Sequence, residues 1–175
     1  MIVVLAGVSG SGKSTIGALL ARRLGWVFED GDALHPASNV AKMRAGVPLT
    51  YEDRRPWLHA VAAWIDRQIA SGEPAVVACS ALRRSYRDLL RSGRPSVRLV
   101  FLDVDRIVLA RRLAERHGHF FPARLLTSQL ADLEIPNSAE RCLVVPAAAP
   151  PDHVTREIIR RLELTRDSPD RKTAP

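Results

Sequence analysis

A three-layer α/β/α fold around a five-stranded parallel sheet is predicted by three features of this 175-residue chain. Five short apolar runs, near residues 2–6, 26–29, 75–79, 97–102 and 141–145, read as buried strands. The segments between them carry apolar residues at helical spacing, and alternating strand and helix builds right-handed parallel units with helices on both faces. The first run leads through a glycine-rich loop directly into a helix, the arrangement that presents main-chain N–H groups to an anion.

Each element follows from its residues. Ile2 to Ala6 is short and apolar, rich in β-branched residues, and is bounded by Gly7, as a central strand should be. The helix predicted over Thr15–Leu24 sets Ile16, Leu19, Leu20 and Leu24 at helical spacing and stops at Gly25. Trp26–Glu29 is the second strand and runs into Asp30-Gly31-Asp32, which leaves two carboxylates at a strand's carboxyl end. Open α/β sheets bind ligands at that edge. Residues 33–57 are irregular and dense in polar side chains; they predict a short helix over Ala37–Ala45 and a longer one over Tyr51–Ser71, with Leu58, Val61, Ala62 and Ile65 inward. A second substrate is expected to dock there. Ala75–Cys79 is the third strand, followed by a loop that passes through Ser80–Arg87 into a helix ending near Gly93. Val97–Leu102 is the fourth strand, closed by Asp103. A helix over Arg106–Arg116 is interrupted by His117-Gly118-His119-Phe120-Phe121-Pro122; a helix over Ala123–Glu134, the strand Arg141–Val145 and a helix over Val154–Leu162 complete the pattern. One domain over 1–164, a lid at about 116–125 and a disordered tail over 165–175 are expected.

The loop Gly7-Val8-Ser9-Gly10-Ser11-Gly12-Lys13-Ser14 is a complete phosphate-binding P-loop, with the strand before it and the helix after it that such a loop requires. Its glycines turn N–H groups inward, Lys13 adds a full charge, and Ser14 offers a hydroxyl where a phosphate-bound Mg²⁺ needs one. Composition narrows the function. No apolar run approaches the ~20 residues that span a bilayer, and the chain enters its first strand without a charged leader, so a cytoplasmic protein with no membrane partner is expected. Cys79 and Cys142 match neither a disulfide framework nor a metal motif. The net charge of +7 is carried by scattered arginines, with only three lysines and no aromatic platform, so no nucleic-acid partner is expected. The guanine-reading Asn-Lys-x-Asp pattern is absent. Phosphoryl transfer to a small anionic acceptor fits best.

Asp32 is the candidate base for the acceptor hydroxyl, with Asp30 as rival. Leu99–Leu102 followed by Asp103 resembles the apolar strand plus Asp that holds Mg²⁺ in other P-loop proteins, yet Asp103 is read as structural; the carboxylate on the metal's water shell stays open, with Asp32 a candidate. Arg54, Arg83 and Arg87 are expected to converge on an acceptor carboxylate, which arginine pairs bidentately. Arg112, Arg116 and Arg124 flank the interruption, where a closing lid would bring arginine charge to the transferring phosphoryl group. His119 either binds substrate or pins the lid.

Taken together, Gly7–Thr15, Asp30–Pro36, Asn39 with Lys42-Met43, Gly46–Leu49, Asp53–Leu58, Cys79–Arg83 with Tyr86-Arg87-Asp88, and His119-Phe120 through Leu125-Leu126 to Ser128-Gln129 resemble the gluconokinase family over about residues 2–145. The resemblance implies ATP- and Mg²⁺-dependent phosphorylation of D-gluconate at its 6-hydroxyl, a fold like that of nucleoside monophosphate and shikimate kinases, and a homodimer. It implies nucleotide contacts from Gly7, Ser9, Gly10, Ser11, Gly12, Lys13, Ser14, Thr15 and Arg112, with Ser14 on the metal. Asp32, His35, Arg54, Arg83 and Arg87 would hold gluconate, with His119 a further candidate, Arg116 would lie near the phosphates, and Lys13, Asp32 and Arg116 are the candidates for the chemistry.

Overall fold

The computed structural model describes residues 1–114 and 123–166. Five strands alternate with seven helices: β1 Ile2–Ala6, α1 Lys13–Leu24, β2 Val27–Asp30, α2 Ala37–Arg44, α3 Tyr51–Ser71, β3 Ala75–Ala78, α4 Arg84–Arg91, β4 Val97–Asp103, α5 Arg106–Ala114, α6 Ala123–Asp132, β5 Cys142–Pro146 and α7 Pro151–Arg161. All neighbouring strands are parallel, in the order β2-β3-β1-β4-β5. The predicted architecture is therefore the observed one. The chief local difference is a 3₁₀ turn over Gly31–Leu34, where the sequence pattern shows only an Asp-Gly-Asp bend. Asp30 opens it by accepting the N–H of Asp32 at 3.1 Å, a short-range bond that aspartate makes readily.

β1 is buried along its whole length, and its alternation sorts the two cores. Ile2, Val4 and Ala6 pack with Trp57, Leu58, Val61 and Ile65 of α3 and with Leu90 of α4. Val3 and Leu5 face Ile16 and Leu20 of α1 and Val154 and Ile158 of α7. A third, smaller cluster joins Val8, Leu82 and Leu109, backed by Leu130 and Leu133, and so sets α5 and α6 over the carboxyl edge of the sheet. Close packing on the α1 side depends on Gly17, where a Cβ would lie 2.5 Å from the Phe28 ring.

α3 begins at a full capping box: Thr50 accepts the Asp53 N–H, and the Asp53 carboxylate accepts the Thr50 N–H. Lys42 binds the same carboxylate at 2.6 Å. Lys42 and the Thr50 groups together hold the Asp53 carboxyl down at about 2. These residues fasten α2 to α3 beside the ligand edge. Burial pushes the Cys79 thiol up to about 12 and the Cys142 thiol up to about 11; both cysteines are unbridged.

The Asp-Gly-Asp turn lies directly against β3. A Cβ on Gly31 would sit 2.4 Å from the Ala78 carbonyl oxygen, and backbone cannot yield there as a flexible side chain could. Gly31→Ala is expected to lower folding stability by about 1–3 kcal/mol, read as a fall in the urea midpoint with an unchanged slope.

Candidate active site

The P-loop closes over the end of β1. Gly7, Gly10 and Gly12 have φ values of 141°, 83° and 98°, conformations that glycine adopts without penalty. Gly7 donates its N–H to the Ser80 carbonyl, which ties the loop to the end of β3. Gly12 starts α1 without a side-chain cap, so the first N–H groups of that helix face outward with its positive dipole end. Lys13 folds back to the Val8 carbonyl at 3.1 Å. Ser11 is fully buried beneath the loop, and Ser14 follows Lys13 on the first turn of α1. Gly10 rests against Leu109 and Leu113, which brings α5 alongside the loop. One helical turn away, Arg112 donates to the Ala147 and Ala148 carbonyls at 2.9 and 3.0 Å and so joins α5 to the segment after β5.

Ser9 and Lys13 of the P-loop share one cleft with Asp32, His35, Arg54 and Trp57. Phosphate nest and Asp-Gly-Asp corner thus open onto the same space. The two aspartates differ: Asp30 caps its own turn, whereas Asp32 is exposed and lines the cleft. Trp57 positions the corner by donating its indole N–H to the Gly31 carbonyl at 2.7 Å. His35 stacks on the Trp57 ring, with centroids 4.3 Å apart and planes 12° from parallel.

The protonation of His35 follows from its neighbour. Buried Asn39 donates one amide hydrogen to the Asp53 carbonyl at 2.7 Å, which fixes its nitrogen as a donor, and that nitrogen lies 3.3 Å from His35 Nδ1. Nδ1 must therefore accept, and the neutral ring carries its proton on Nε2. Burial lowers the His35 pKa below 6.5; Asp32 raises it and Arg54 lowers it further.

Arg54 and Arg83 meet, but on an acid of the chain itself that the sequence did not single out. Asp132, at the end of α6, accepts Arg54 Nη1 on one carboxylate oxygen at 2.6 Å and Arg83 Nη2 on the other. Burial pushes the Asp132 carboxyl up, and the bonds from Arg83 and Arg54 outweigh this, leaving it below its usual range. Gln129, one turn earlier, accepts the Ser9 N–H at 2.7 Å. A single helix thus touches both the P-loop and the arginine pair.

Arg87 departs from the expected convergence. Its side chain is fully buried and paired with Glu140, Nε to Oε2 at 2.7 Å and Nη2 to Oε1 at 3.0 Å, because a buried charge needs an opposite charge and hydrogen bonds to offset its lost hydration. Its remaining nitrogen donates to the Ala81 and Leu82 carbonyls. Ala81 has φ 37°, an unfavourable left-handed conformation for alanine. Arg87 braces that strained loop from within the core. Arg116, His119 and residues 116–122 of the expected lid lie outside the described residues, as do residues 167–175 of the expected tail.

Comparison with known proteins agrees with this geometry. A family model described as an AAA domain matches residues 2–136. A gluconokinase of Gluconobacter oxydans is 48% identical over 161 residues, covering 92% of this chain and 90% of the relative. The chain belongs to the gluconokinase family. A solved gluconokinase from Sinorhizobium meliloti superposes with a TM-score of 0.81 at 48% identity, over 92% of this chain and 90% of that one. A shikimate kinase from Bacteroides thetaiotaomicron, 19% identical, shares the fold with a TM-score of 0.66 over 94% and 99% of the two chains. Among the described residues of this gluconokinase-family chain, no helix is long and apolar enough to cross a membrane.

The His35 geometry predicts a pH effect. Because its folded pKa is depressed, the unfolded chain takes up the proton first, so stability is fully present above 6.5 and is lost as pH falls from there through the lower folded value. Urea midpoints should decline across that window, and His35→Gln should flatten the decline.

Proposed function

We propose that the chain is an ATP-dependent gluconokinase that transfers the γ-phosphoryl group of ATP to the 6-hydroxyl of D-gluconate, with residues 1–164 acting as one catalytic domain. The observation that carries this reading is the shared cleft of P-loop and Asp-Gly-Asp corner, in a chain 48% identical to a gluconokinase over nearly its full length. The main-chain N–H groups of Gly10, Gly12, Lys13, Ser14 and Thr15 and the Lys13 ammonium hold the β- and γ-phosphates, while those of Gly7, Ser9 and Ser11 stay on Ser80, Gln129 and Val8. Arg112 sits on the nucleotide side, against the segment after β5. Asp32 orients the acceptor hydroxyl and takes its proton as the new oxygen–phosphorus bond forms and the bond to the ADP oxygen breaks. His35 offers its Nε2 proton to an acceptor oxygen, and Arg54 and Arg83 pair with the acceptor carboxylate. Arg116 and His119 belong to this proposal as lid residues over the phosphoryl group and the acceptor.

The donor set suits Mg²⁺ carried in with the nucleotide. Ser14 would provide a hard oxygen from the first turn of α1, phosphates and water would supply others, and Asp32 is a carboxylate lining the cleft among the described residues. When bound, the ion neutralises charge on the β- and γ-oxygens. A homodimer and a cytoplasmic location complete the reading.

A coupled assay of ADP release tests it: turnover should depend on D-gluconate and yield a phosphorylated sugar acid, whereas turnover with shikimate or a nucleoside monophosphate instead would overturn it. Asp32→Asn should lower kcat by about 10²–10⁴-fold while ATP binding, followed by calorimetry, stays near that of the parent.

A further inference from the structure

Asp132 has the features of a designed contact rather than an incidental surface pair. Its side chain is 16% exposed, and that of Arg54 is 12% exposed, so both are largely withdrawn from water, where charge-assisted bonds are strongest. It lies 78 residues from Arg54 and 49 from Arg83 in the chain, and it gives each guanidinium one oxygen. Every arginine has five N–H donors; one from each is committed to Asp132, and Arg54 still lines the cleft. Asp132 is not among the cleft-lining residues, whereas Ser128 and Gln129 of the same helix are. Long arginine side chains lose considerable rotamer freedom when a ligand orders them, and prior anchoring removes much of that cost.

We propose that Asp132 is a positioning residue of the acceptor site, which binds Arg54 and Arg83 into a single fork before the acceptor arrives. It acts through the arginines and does not touch the acceptor. The inference rests on the reading of Arg54 and Arg83 as carboxylate-binding groups. It places the determinant of acceptor affinity on α6, a helix that contributes no arginine to the fork, and leaves nucleotide affinity to the P-loop.

The test is steady-state kinetics with D-gluconate and ATP on the parent chain, Asp132→Asn, Asp132→Glu, Arg54→Gln and the Arg54→Gln/Asp132→Asn pair. Asp132→Asn keeps the shape but sets an amide N–H₂ against one guanidinium, and should raise KM for gluconate by about tenfold, with KM for ATP and kcat changed by less than about threefold. In the Arg54→Gln background the same change should add less than about twofold, because the group it acts through is gone. An unchanged gluconate KM in Asp132→Asn, or equal rises in both KM values, would overturn the proposal, as would full additivity in the pair. If Asp132→Asn does not fold, Asp132→Glu is read by the same criterion, since it keeps the charge and misplaces it by one methylene. Absence of gluconate turnover in the parent chain would instead refute the assigned activity, so the two failures are distinguishable.

Discussion

The site depends on how closely the Asp-Gly-Asp turn approaches the sheet. Gly31 sits against the Ala78 carbonyl with no room for a side chain, while the Trp57 indole holds the Gly31 carbonyl from the α3 side. Held on both sides, the turn cannot drift from the carboxyl edge of β3. Parallel pairing of β3 with β1 places that edge beside the P-loop, and the Gly7–Ser80 hydrogen bond joins the two loops that rise from it. Backbone contacts, with the Trp57 indole as the one side-chain clamp named here, therefore set the distance between the phosphate nest and Asp32. The functional side chains inherit their places from that frame.

Around the frame, opposite charges are used as fasteners. Glu140 neutralises Arg87 in the core, Asp66 binds Arg94 through two bonds, and Glu157 does the same for Arg160. Exposed pairs of this kind contribute little to stability. The buried Arg87–Glu140 pair differs: removing either partner would strand a charge, and the bonds it makes keep the left-handed Ala81 in place. Several of the arginines behind the net charge of +7 are thus paired within the described residues.

Features governed by local spacing were legible from the residues. The P-loop declares itself within eight positions, and β1 and β3 are apolar runs that can exist only inside a sheet. The long α3 was legible despite Pro56, because an inward face of Leu58, Val61, Ala62 and Ile65 continues beyond the proline; the capping box of Thr50 and Asp53 that starts it emerged only from the structure. Features governed by distant pairing were not. Nothing near Asp132 marks it as the partner of two arginines, and nothing near Arg87 reveals that Glu140, 53 residues on, will draw it inward. An arginine in an Arg-rich helix looks the same whether it faces a ligand or the core. The meaning of Gly31 was hidden for a related reason: its φ is ordinary, and only the neighbouring strand forbids a side chain.

The two thiols carry a consequence for durability. Oxidants and alkylating reagents attack the thiolate, and with Cys79 pushed up to about 12 and Cys142 to about 11 that form is scarce at neutral pH. Cys79 stands immediately before Ser80, which lines the cleft, so an adduct there would wedge apart the end of the strand that supports the Asp-Gly-Asp corner. Burying it removes a chemical weak point from behind the cleft wall.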